Sequence, residues 1–322
     1  MIRWGILSTA RIAQRIINGA RHAENASIVA VGSRDLARAQ AFASEHGIPL
    51  AYGSYEELLE SAEVDAVYIP LPNSLHVEWS VRAMEAGKHV LSEKPLSRDP
   101  ASVERAFDAA EQYRRVLMEA FMWRFHPQTE EIVRLVETGE IGELRYVRAA
   151  FGFNNPDMAN VRWAAGLEGG ALMDVGCYGV SALRLICGEP ERVLGEQVLG
   201  GDGVDGRFAA ILRFPGDVLG SFDCGMDVHR RTGLEVVGSE GTLWVPSPWL
   251  ALPTPLIVLS RGDLEERFEP LPVDPYGREL EEMGRAIAGG DPVRLGRADS
   301  LGQARVIDAL YRSAASGSAV SL

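Results

Sequence analysis

Short apolar runs alternate with helical patterns along the first 120 residues of the chain. The apolar runs, short enough for strands, lie at Trp4–Leu7, Ile28–Val31, Ala66–Ile69, His89–Leu91 and Val116–Met118. Between them, apolar residues recur at helical spacing, at Leu36–His46, Tyr55–Ser61, Val77–Ala86 and Ala101–Tyr113. Nearly continuous apolar strands that alternate with helices are typical of a parallel sheet covered on both faces. The pattern therefore predicts a doubly wound α/β domain.

The pattern changes after about residue 122, where extended segments follow one another. Strands are predicted at Leu144–Phe153, Val193–Leu199, Arg207–Phe214, Val218–Met226, Leu234–Val245, Leu256–Ser260 and Glu265–Leu271. Helices are predicted at His126–Glu137, Ala171–Cys187, Arg278–Ala288 and Leu301–Ala315. Successive strands without intervening helices favour an antiparallel sheet. The proline-rich segment Pro246–Pro255 is expected to be a surface or interface loop.

Length, composition and charge narrow the class of protein. A chain of 322 residues with 46% hydrophobic and 24% charged residues is typical of a soluble globular protein of about two domains. We expect these domains to be residues 1–121 and 122–322. The net charge of −13 argues against a nucleic-acid partner, which binds a basic face. The apolar runs fall short of the roughly 18 residues that a membrane helix needs.

Two further features bear on the location of the protein. The first residues lack the basic and apolar regions of a signal peptide. The three cysteines contain no C-x-x-C pair, and an odd number fits poorly with a disulfide framework. We therefore expect a cytoplasmic protein with no membrane partner.

The turn after the first predicted strand is a candidate for dinucleotide binding. A Rossmann fold carries G-x-G-x-x-G there, so that backbone amides at a helix N-terminus face the pyrophosphate. Residues 8–13 read Ser-Thr-Ala-Arg-Ile-Ala, with a small residue in place of each glycine. The candidate cofactor-binding residues of this turn are Ser8, Thr9, Ala10, Arg11 and Ile12. An ordinary tight strand-to-helix turn remains the alternative for this pattern alone.

The end of the second predicted strand bears on the choice of cofactor. An NAD site carries an acidic residue about 20 positions beyond the fingerprint. Here that region holds Ser33, Arg34 and Arg38. Because guanidinium groups pair with phosphate oxygens, these residues favour the 2′-phosphate of NADP, with NAD as the other cofactor considered. In the competing interpretation, Arg34 and Arg38 form a solvated helix face and Asp35 is a helix cap.

Two later segments carry candidate chemistry. Residues 86–95 end at the carboxyl edge of a predicted parallel strand, where ligands bind in open α/β sheets. Neighbouring strand residues face opposite ways, so Glu93 and Lys94 cannot both point into the same cleft. Asp174 and Tyr178 lie four residues apart in a predicted helix and share one face. The histidines show no H-x-H or H-E-x-x-H spacing, so no metal site is expected.

On these motifs the chain resembles the Gfo/Idh/MocA family of nicotinamide-dependent oxidoreductases. The matching stretches are residues 5–13, 69–76, 87–95, 122–125 and 169–178. Many members carry histidine where this chain has Tyr178. The chain is therefore similar to the branch that contains glucose–fructose oxidoreductase, NADP-dependent xylose dehydrogenase and dihydrodiol dehydrogenase.

The resemblance carries expectations about the fold and the assembly. It implies an N-terminal Rossmann domain and a C-terminal α/β domain with a large open, mostly antiparallel sheet. That second domain is expected to bind the substrate and to mediate oligomerisation, as a homodimer or a dimer of dimers.

The resemblance also assigns residues to the site. It implies that Lys94 is catalytic and that Asp174 and Tyr178 complete the catalytic set. On the cofactor side it places Pro70, Asn73, His76, Glu93 and Lys94. For His76, a structural histidine at a helix start is the alternative. Candidates for the substrate pocket are Trp123, Arg124, Arg162 and Trp163, and interdomain packing is the competing interpretation of these four.

These assignments lead to a proton path. Oxidation of an alcohol needs a base for the hydroxyl proton while hydride moves to nicotinamide. A free phenol titrates near pH 10, and a nearby ammonium lowers that pKa. Lys94 and Tyr178 are therefore expected to handle the proton, whereas Asp174 would bind the substrate or orient Lys94. The competing interpretations are a solvated surface lysine and a core tyrosine.

The expected function follows from these residues and from the resemblance. We expect an NADP(H)-dependent oxidoreductase acting on a secondary alcohol, hemiacetal or carbonyl of a sugar, polyol or diol. The alternative is a catalytically silent sensor of the same fold, which binds a dinucleotide and regulates a partner.

Overall fold

The structure is a computed structural model that describes residues 1–250 and 253–322. The chain separates into two compact units. The first consists of Met1–Met122 and Asp274–Leu301, and the second of Trp123–Val273 and Gly302–Leu322. The sequence pattern had assigned Asp274–Leu301 to the C-terminal domain, but this segment packs within the first unit.

The first unit contains a parallel sheet of six strands among its described residues, in the order β3-β2-β1-β4-β5-β6. The strands are β1 (Ile2–Leu7), β2 (Ala26–Gly32), β3 (Leu50–Tyr52), β4 (Ala66–Ile69), β5 (His89–Glu93) and β6 (Leu117–Ala120). The helices between them are α1 (Ala13–Ala20), α2 (Leu36–His46), α3 (Tyr55–Glu60), α4 (His76–Glu85) and α5 (Pro100–Gln112). The order reverses beside β1, which makes the carboxyl ends of β1 and β4 the expected ligand edge. The predicted doubly wound α/β fold is confirmed.

The second unit contains a sheet of nine strands in its described part, in the order β14-β13-β12-β11-β7-β10-β9-β8-β15. Its first strands are β7 (Leu144–Asn154), β8 (Arg192–Gly200), β9 (Val204–Arg213) and β10 (Leu219–Gly225). The others are β11 (Asp227–Gly238), β12 (Thr242–Val245), β13 (Ile257–Arg261), β14 (Leu264–Phe268) and β15 (Val320–Ser321). Neighbouring strands are antiparallel except for β7 and β10. The predicted large, mostly antiparallel sheet is confirmed.

Helices cover one face of this sheet. Helix α6 (Pro127–Glu137) precedes β7, and α7 (Cys177–Cys187) packs against β7 and β10. On the other face, large apolar side chains remain exposed: Leu194 at 43%, Ile211 at 55% and Trp244 at 44%. Leu194 and Ile211 are cross-strand partners in the register of β8 and β9. One face of the sheet therefore forms the core, and the other is open.

Helix α8 (Pro275–Ile287) and the start of α9 (Arg297–Ser316) belong to the first unit. Helices α1 and α8 cross closely because both carry glycine at the contact. A Cβ atom added at Gly19 would lie 2.6 Å from the Gly277 nitrogen. At the start of α9, the Arg297 guanidinium bonds Glu104 at 2.7 Å and Asp108 at 2.8 Å on α5. These contacts are the physical reason why Asp274–Leu301 packs in the first unit.

Among the described residues, one helical stretch, Ala165–Cys187, is long and apolar enough to cross a membrane by length and composition alone. Its apolar window is 78% buried inside the fold. Burial of this kind is typical of a core helix in a globular domain.

Candidate active site

The turn between β1 and α1 begins with a residue in a glycine-like conformation. Ser8 has a φ of +146°, a value that glycine adopts readily and other residues seldom do. Its hydroxyl accepts a hydrogen bond from the Ala10 amide at 2.9 Å, which holds the turn in this conformation. Ser8 stands where the fingerprint has its first glycine, and its backbone keeps a conformation that is typical of glycine.

One arginine of the α2 start contacts this turn: the Arg38 guanidinium is 3.5 Å from the Thr9 hydroxyl. Arg34 and Arg38 are both exposed, and their charges both act on the Tyr55 phenol, whose pKa is raised mainly by burial. The Asp35 carboxylate accepts the amides of the α2 start, including Arg38 N at 3.2 Å, so the predicted helix cap is present. The Arg38 guanidinium therefore lies next to the candidate pyrophosphate turn, and Arg34 is an exposed guanidinium four residues before it in the chain.

Ser33 has a different environment from these arginines. It is 6% exposed, and its amide donates to the Tyr52 carbonyl at 3.1 Å. Its hydroxyl accepts from the Asp35 amide at 3.3 Å. The hydroxyl thus contributes to the turn that precedes α2.

Lys94 follows β5 directly, and neighbouring side chains anchor its backbone segment. The Glu93 carboxylate accepts the Lys94 amide at 3.2 Å. The buried Glu119 carboxylate on β6 accepts the Leu96 amide at 2.9 Å. These contacts fix the backbone on both sides of Lys94, which favours one orientation for its long side chain.

His76 contacts Pro95, which lies between the hydrogen-bonded amides of Lys94 and Leu96. One of its ring nitrogens lies 2.8 Å from the Pro95 carbonyl oxygen, and the other lies 2.8 Å from that of Leu71. The ring is 1% exposed, and burial lowers its pKa to about 4, with the Lys94 charge acting in the same direction. A neutral imidazole has one N–H, so it donates to one of these carbonyls at a time. His76 begins α4, but its ring links two loops instead of capping the helix.

The other residues expected on the cofactor side lie close by in the chain. Pro70 is buried directly after β4, and Asn73 begins the short 3₁₀ turn Asn73–Leu75. The Glu93 carboxylate accepts the Tyr68 hydroxyl at 2.5 Å, so Glu93 is held inside the first unit. Burial, followed by the Glu93 charge, raises the Tyr68 pKa well above its ordinary value, which keeps this phenol a neutral donor.

A second buried carboxyl, Glu279 on α8, was missed by the sequence analysis. It is fully buried, and neither carboxylate oxygen has a hydrogen-bond partner among the described residues. Burial is the main cause that raises its pKa well above the ordinary value, and the Glu93 charge adds to it. Both effects favour the protonated form of this carboxyl over the charged one.

The choice of lysine at position 94 is itself informative. The chain has 32 lysine and arginine residues in total, and only Lys88 and Lys94 are lysines. The Lys88 ammonium is used internally, donating to the Ser61 carbonyl at 2.7 Å and the Val64 carbonyl at 2.8 Å. Arginine stays charged in proteins, whereas an ammonium can shift its pKa and release a proton. A chain that uses arginine almost everywhere else keeps lysine in the anchored segment.

In the second unit, Asp174 and Tyr178 lie at the start of the predicted helix. Its first turn, Leu172–Gly176, is a π-helix, and α7 continues from Cys177. Such π-turns occur frequently at functional sites. The Asp174 carboxylate accepts the Arg162 guanidinium at 2.7 Å, so the structure brings these two candidate residues together.

Tyr178 belongs to an aromatic cluster within the second unit. Its ring centroid lies 5.4 Å from that of Phe151 and 5.6 Å from that of Trp249. Trp249 in turn contacts Trp123 edge to face, at 5.3 Å. Trp249 is 2% exposed although it falls in the segment expected to be a loop; residues 251–252 of that segment lie outside the described residues. The cluster fixes the plane of the Tyr178 ring.

The four substrate-pocket candidates differ in accessibility. Trp123 is 1% exposed and Trp163 is 3% exposed, which limits direct contact with a ligand. Trp163 donates its indole N–H to the Asn155 carbonyl at 3.0 Å. Arg162 is exposed, and the partly exposed Arg124 lies 3.5 Å from the Ser181 hydroxyl. The two arginines are therefore the members of this set that are open to a ligand.

Comparison with known protein families accounts for both units. A family model described as an oxidoreductase family with an NAD-binding Rossmann fold matches residues 2–121. A second model, the GFO/IDH/MocA C-terminal domain, matches residues 129–244.

Curated relatives are similar over nearly the whole chain. D-xylose 1-dehydrogenase (NADP(+)) 2 of Haloferax volcanii is 41% identical over 325 residues, covering 99% of each chain. A trans-1,2-dihydrobenzene-1,2-diol dehydrogenase of Danio rerio is 36% identical over 330 residues, covering 97% of this chain and 96% of its own.

A solved structure has the same overall fold. KijD10, a 3-ketoreductase from Actinomadura kijaniata in complex with NADP and TDP-benzene, is 34% identical over 97% of each chain, with a TM-score of 0.91. Variants of KijD10 with one lysine replaced and with one tyrosine replaced have also been solved. The two replaced residues are 84 positions apart in that chain, as Lys94 and Tyr178 are here.

Proposed function

Because this chain belongs to the Gfo/Idh/MocA family of oxidoreductases, we propose that Lys94 and Tyr178 catalyse hydride exchange between NADP(H) and a sugar, polyol or diol. The observation that carries the proposal is a lysine in an arginine-rich chain, Lys94, placed directly after β5 on a backbone anchored at three consecutive residues. The equal spacing of the lysine and tyrosine replaced in KijD10 supports the same pair.

The residues of the first unit fit a phosphorylated dinucleotide. The amides at the start of α1 suit a pyrophosphate, since a helix N-terminus attracts anions. Arg34 and Arg38 suit the 2′-phosphate of NADP, and the Asp35 carboxylate is occupied by its role as a cap. We therefore propose a preference for NADP over NAD.

In the proposed mechanism, the Tyr178 phenolate takes the proton of the substrate hydroxyl. The Lys94 ammonium favours the phenolate form and hydrogen-bonds the substrate oxygen. When bound, the nicotinamide supplies the hydride acceptor for the oxidation. In the reduction, the Tyr178 phenol returns the proton to the new alkoxide. Asp174 orients the Arg162 guanidinium, which then binds a substrate hydroxyl or carboxylate.

The relatives suggest where a search for the substrate should begin. Their names include a xylose dehydrogenase and a dihydrodiol dehydrogenase, and both substrates carry vicinal hydroxyl groups. A hemiacetal carbon such as C1 of an aldose presents one hydroxyl to a base and one hydrogen for transfer. We therefore propose aldoses as the first class and vicinal diols as the second.

A spectrophotometric assay of the purified protein tests this function. D-xylose, further aldoses and vicinal diols are each incubated with NADP and with NAD, and reduced nicotinamide is followed by its absorbance. Turnover that is faster with NADP is the expected result. Binding of NADP without turnover of any aldose or diol would contradict the proposal and favour a regulatory sensor.

Replacing Arg34 by alanine should weaken NADP binding selectively. Hydrogen bonds to a charged group contribute about 1.5–3 kcal/mol, so we expect the KM for NADP to rise roughly 10- to 100-fold. The KM for NAD should change by less than about twofold, since NAD lacks the 2′-phosphate. The exposed Arg105 on α5 supplies the control variant Arg105→Ala. An equal loss of affinity for both cofactors would count against this assignment.

We also propose a homodimer formed through the open face of the large sheet. A row of cross-strand partners on this face includes Leu194, Ile211 and Trp244. Exposed apolar patches of this kind mark protein interfaces. Light scattering should give twice the chain mass of 35.0 kDa, or a multiple of that dimer. The variant Ile211→Arg should shift the population towards monomer, and a monomeric parent protein would contradict the proposal.

A further inference from the structure

Asp205 is a buried carboxylate to which the proposed mechanism assigns no step. It lies in β9 and is 2% exposed. One carboxylate oxygen accepts the Leu172 amide at 2.6 Å, and the other accepts the Tyr311 hydroxyl at 2.8 Å. A buried charge is costly unless it is hydrogen-bonded, so these two donors are what stabilise it there.

The Asp205 carboxylate meets the start of the helix that carries Asp174 and Tyr178. Leu172 is the first residue of the π-turn that leads into α7. The first amides of a helix lack partners within it, and its N-terminus carries a partial positive charge. A carboxylate from the large sheet therefore caps this helix, in place of a residue from the preceding loop.

Two glycines allow this contact. Gly170 has a φ of +120°, and a Cβ atom there would lie 2.2 Å from Asp205 Oδ1. A Cβ atom at Gly169 would lie 2.2 Å from the Arg162 carbonyl oxygen. The Gly170 amide also donates to that carbonyl at 2.9 Å. The Gly-Gly pair thus brings Asp205, Arg162 and the first turn of the helix into direct contact.

We infer that Asp205 is a positioning residue, whose carboxylate fixes the first turn of this helix and thereby orients Asp174 and Tyr178. The inference rests on the proposed function, in which Tyr178 handles the proton. The same turn also holds Arg162, because the Arg162 guanidinium bonds the Asp174 carboxylate at 2.7 Å.

The protonation of Asp205 should affect the helix start. Burial raises its pKa to about 6, while the hydrogen bonds from Leu172 and Tyr311 act in the opposite direction. Cys224 on β10 also faces it, and burial keeps that group a thiol because its pKa is raised well above the ordinary value. The hydrogen bonds from Leu172 and Tyr311 lower the Asp205 pKa, so they are stronger to the carboxylate than to the protonated acid. These two contacts with the helix start should therefore weaken as the pH falls through about 6.

The test compares Asp205→Asn and Tyr311→Phe with the parent protein between pH 5 and 9. The assay uses NADP and D-xylose, or whichever sugar of the panel is turned over fastest. Asp205→Asn removes the charge and leaves one acceptor oxygen for two donors. The loss of a hydrogen bond to a charged group corresponds to roughly a tenfold effect or more, so kcat should fall about tenfold at pH 8. The KM for NADP should stay within about twofold, because the proposed cofactor residues lie in the first unit.

The pH profile separates positioning from a merely structural role. Below about pH 6, the pKa to which burial raises Asp205, the parent kcat should fall more steeply than protonation of Tyr178 alone requires, and this additional fall should be absent in Asp205→Asn. Tyr311→Phe removes a hydrogen bond that lowers the Asp205 pKa, so its acid limb should move to higher pH. The exposed Asp227 on β11 gives the control variant Asp227→Asn, which should keep the parent profile. An unchanged acid limb in Asp205→Asn would overturn the inference.

Amide hydrogen exchange gives a readout that needs no turnover. Protection of the Leu172 amide should fall about tenfold in Asp205→Asn. If Tyr178→Phe keeps full activity, the proposed function fails. Amide hydrogen exchange at Leu172 then still tests whether Asp205 fixes the helix start. If Tyr178→Phe is inactive but Asp205→Asn keeps the parent exchange and pH profile, the Asp205 inference alone fails.

Discussion

Lys94→Met should lower kcat by about 10²- to 10⁴-fold, the usual contribution of a group that takes part in proton transfer. Without the ammonium, the proposed mechanism loses the positive charge that favours the Tyr178 phenolate, so the substrate proton is taken up less readily. The backbone contacts around position 94 do not involve the ammonium, so the fold should persist. Steady-state kinetics with NADP, together with a thermal melt, measures both effects. A kcat within a few-fold of the parent would remove Lys94 from the mechanism.

Lys94→Arg is the matched variant for this prediction. It keeps the positive charge but replaces a compact ammonium with a planar guanidinium that stays protonated. We expect it to recover only a small part of the activity lost in Lys94→Met. Amine-selective labelling followed by peptide mapping, which separates Lys94 from the α-amino group of Met1, offers an independent check, since Lys88 is only 7% exposed and Lys94 is the other lysine of the chain. Bound NADP should slow the labelling of Lys94.

Glu279→Gln should stabilise the protein at neutral and alkaline pH. The folded-state pKa of Glu279 is raised, so the parent loses stability as the pH rises above the ordinary value of 4.5, up to the raised pKa. Each pH unit in that window costs about 1.4 kcal/mol. Glutamine does not titrate, so its advantage over the parent should be small at pH 4 and should grow to about 1–3 kcal/mol at pH 7. Denaturant unfolding across the pH range measures this difference.

At pH 4 the two proteins should have nearly equal free energies of unfolding, because a protonated carboxyl and an amide are similar in size and polarity. The carboxylates that act on Glu279 are Glu93, Glu282 and Asp274, and each of them raises its pKa. Glu85→Gln, at an exposed position of α4, serves as the control and should show no such pH-dependent gain. A constant difference between parent and Glu279→Gln from pH 4 to 9 would show that Glu279 is not the titrating group.

The fold was predictable where local signals coincided. Helix α2 has the predicted bounds, Leu36–His46, because Asp35 caps its first turn and Gly47 ends it in a left-handed conformation. Strand β3, only three residues long, gave no periodic signal and was missed. The predicted strand Leu234–Val245 proved to be the end of β11 and all of β12, joined by a turn at residues 239–241. The apolar pattern on both sides of residues 239–241 is typical of strands, so the turn between them did not divide the predicted strand.

The candidate site was less accessible to sequence reasoning. Lys94 and Tyr178 stood out because their motifs resemble a known family. The π-turn before Tyr178 could not be predicted in this way, since its first amide bonds the Asp205 carboxylate on a strand distant in the sequence. Asp205 and Glu279 were missed because the sequence alone does not distinguish a buried carboxyl from a solvent-exposed one. Trp249 was missed because the prolines around it favour a loop.

The crossing of α1 and α8 has a consequence for the biogenesis of this protein. The two helices meet at Gly19 and Gly277, more than 250 residues apart in the chain. All six strands of the parallel sheet are synthesised long before α8. The first unit therefore lacks α8 while most of the second unit is being synthesised. Contacts so distant in sequence slow folding and prolong the exposure of apolar surface. The part of α1 that packs against α8 therefore stays uncovered until late in synthesis.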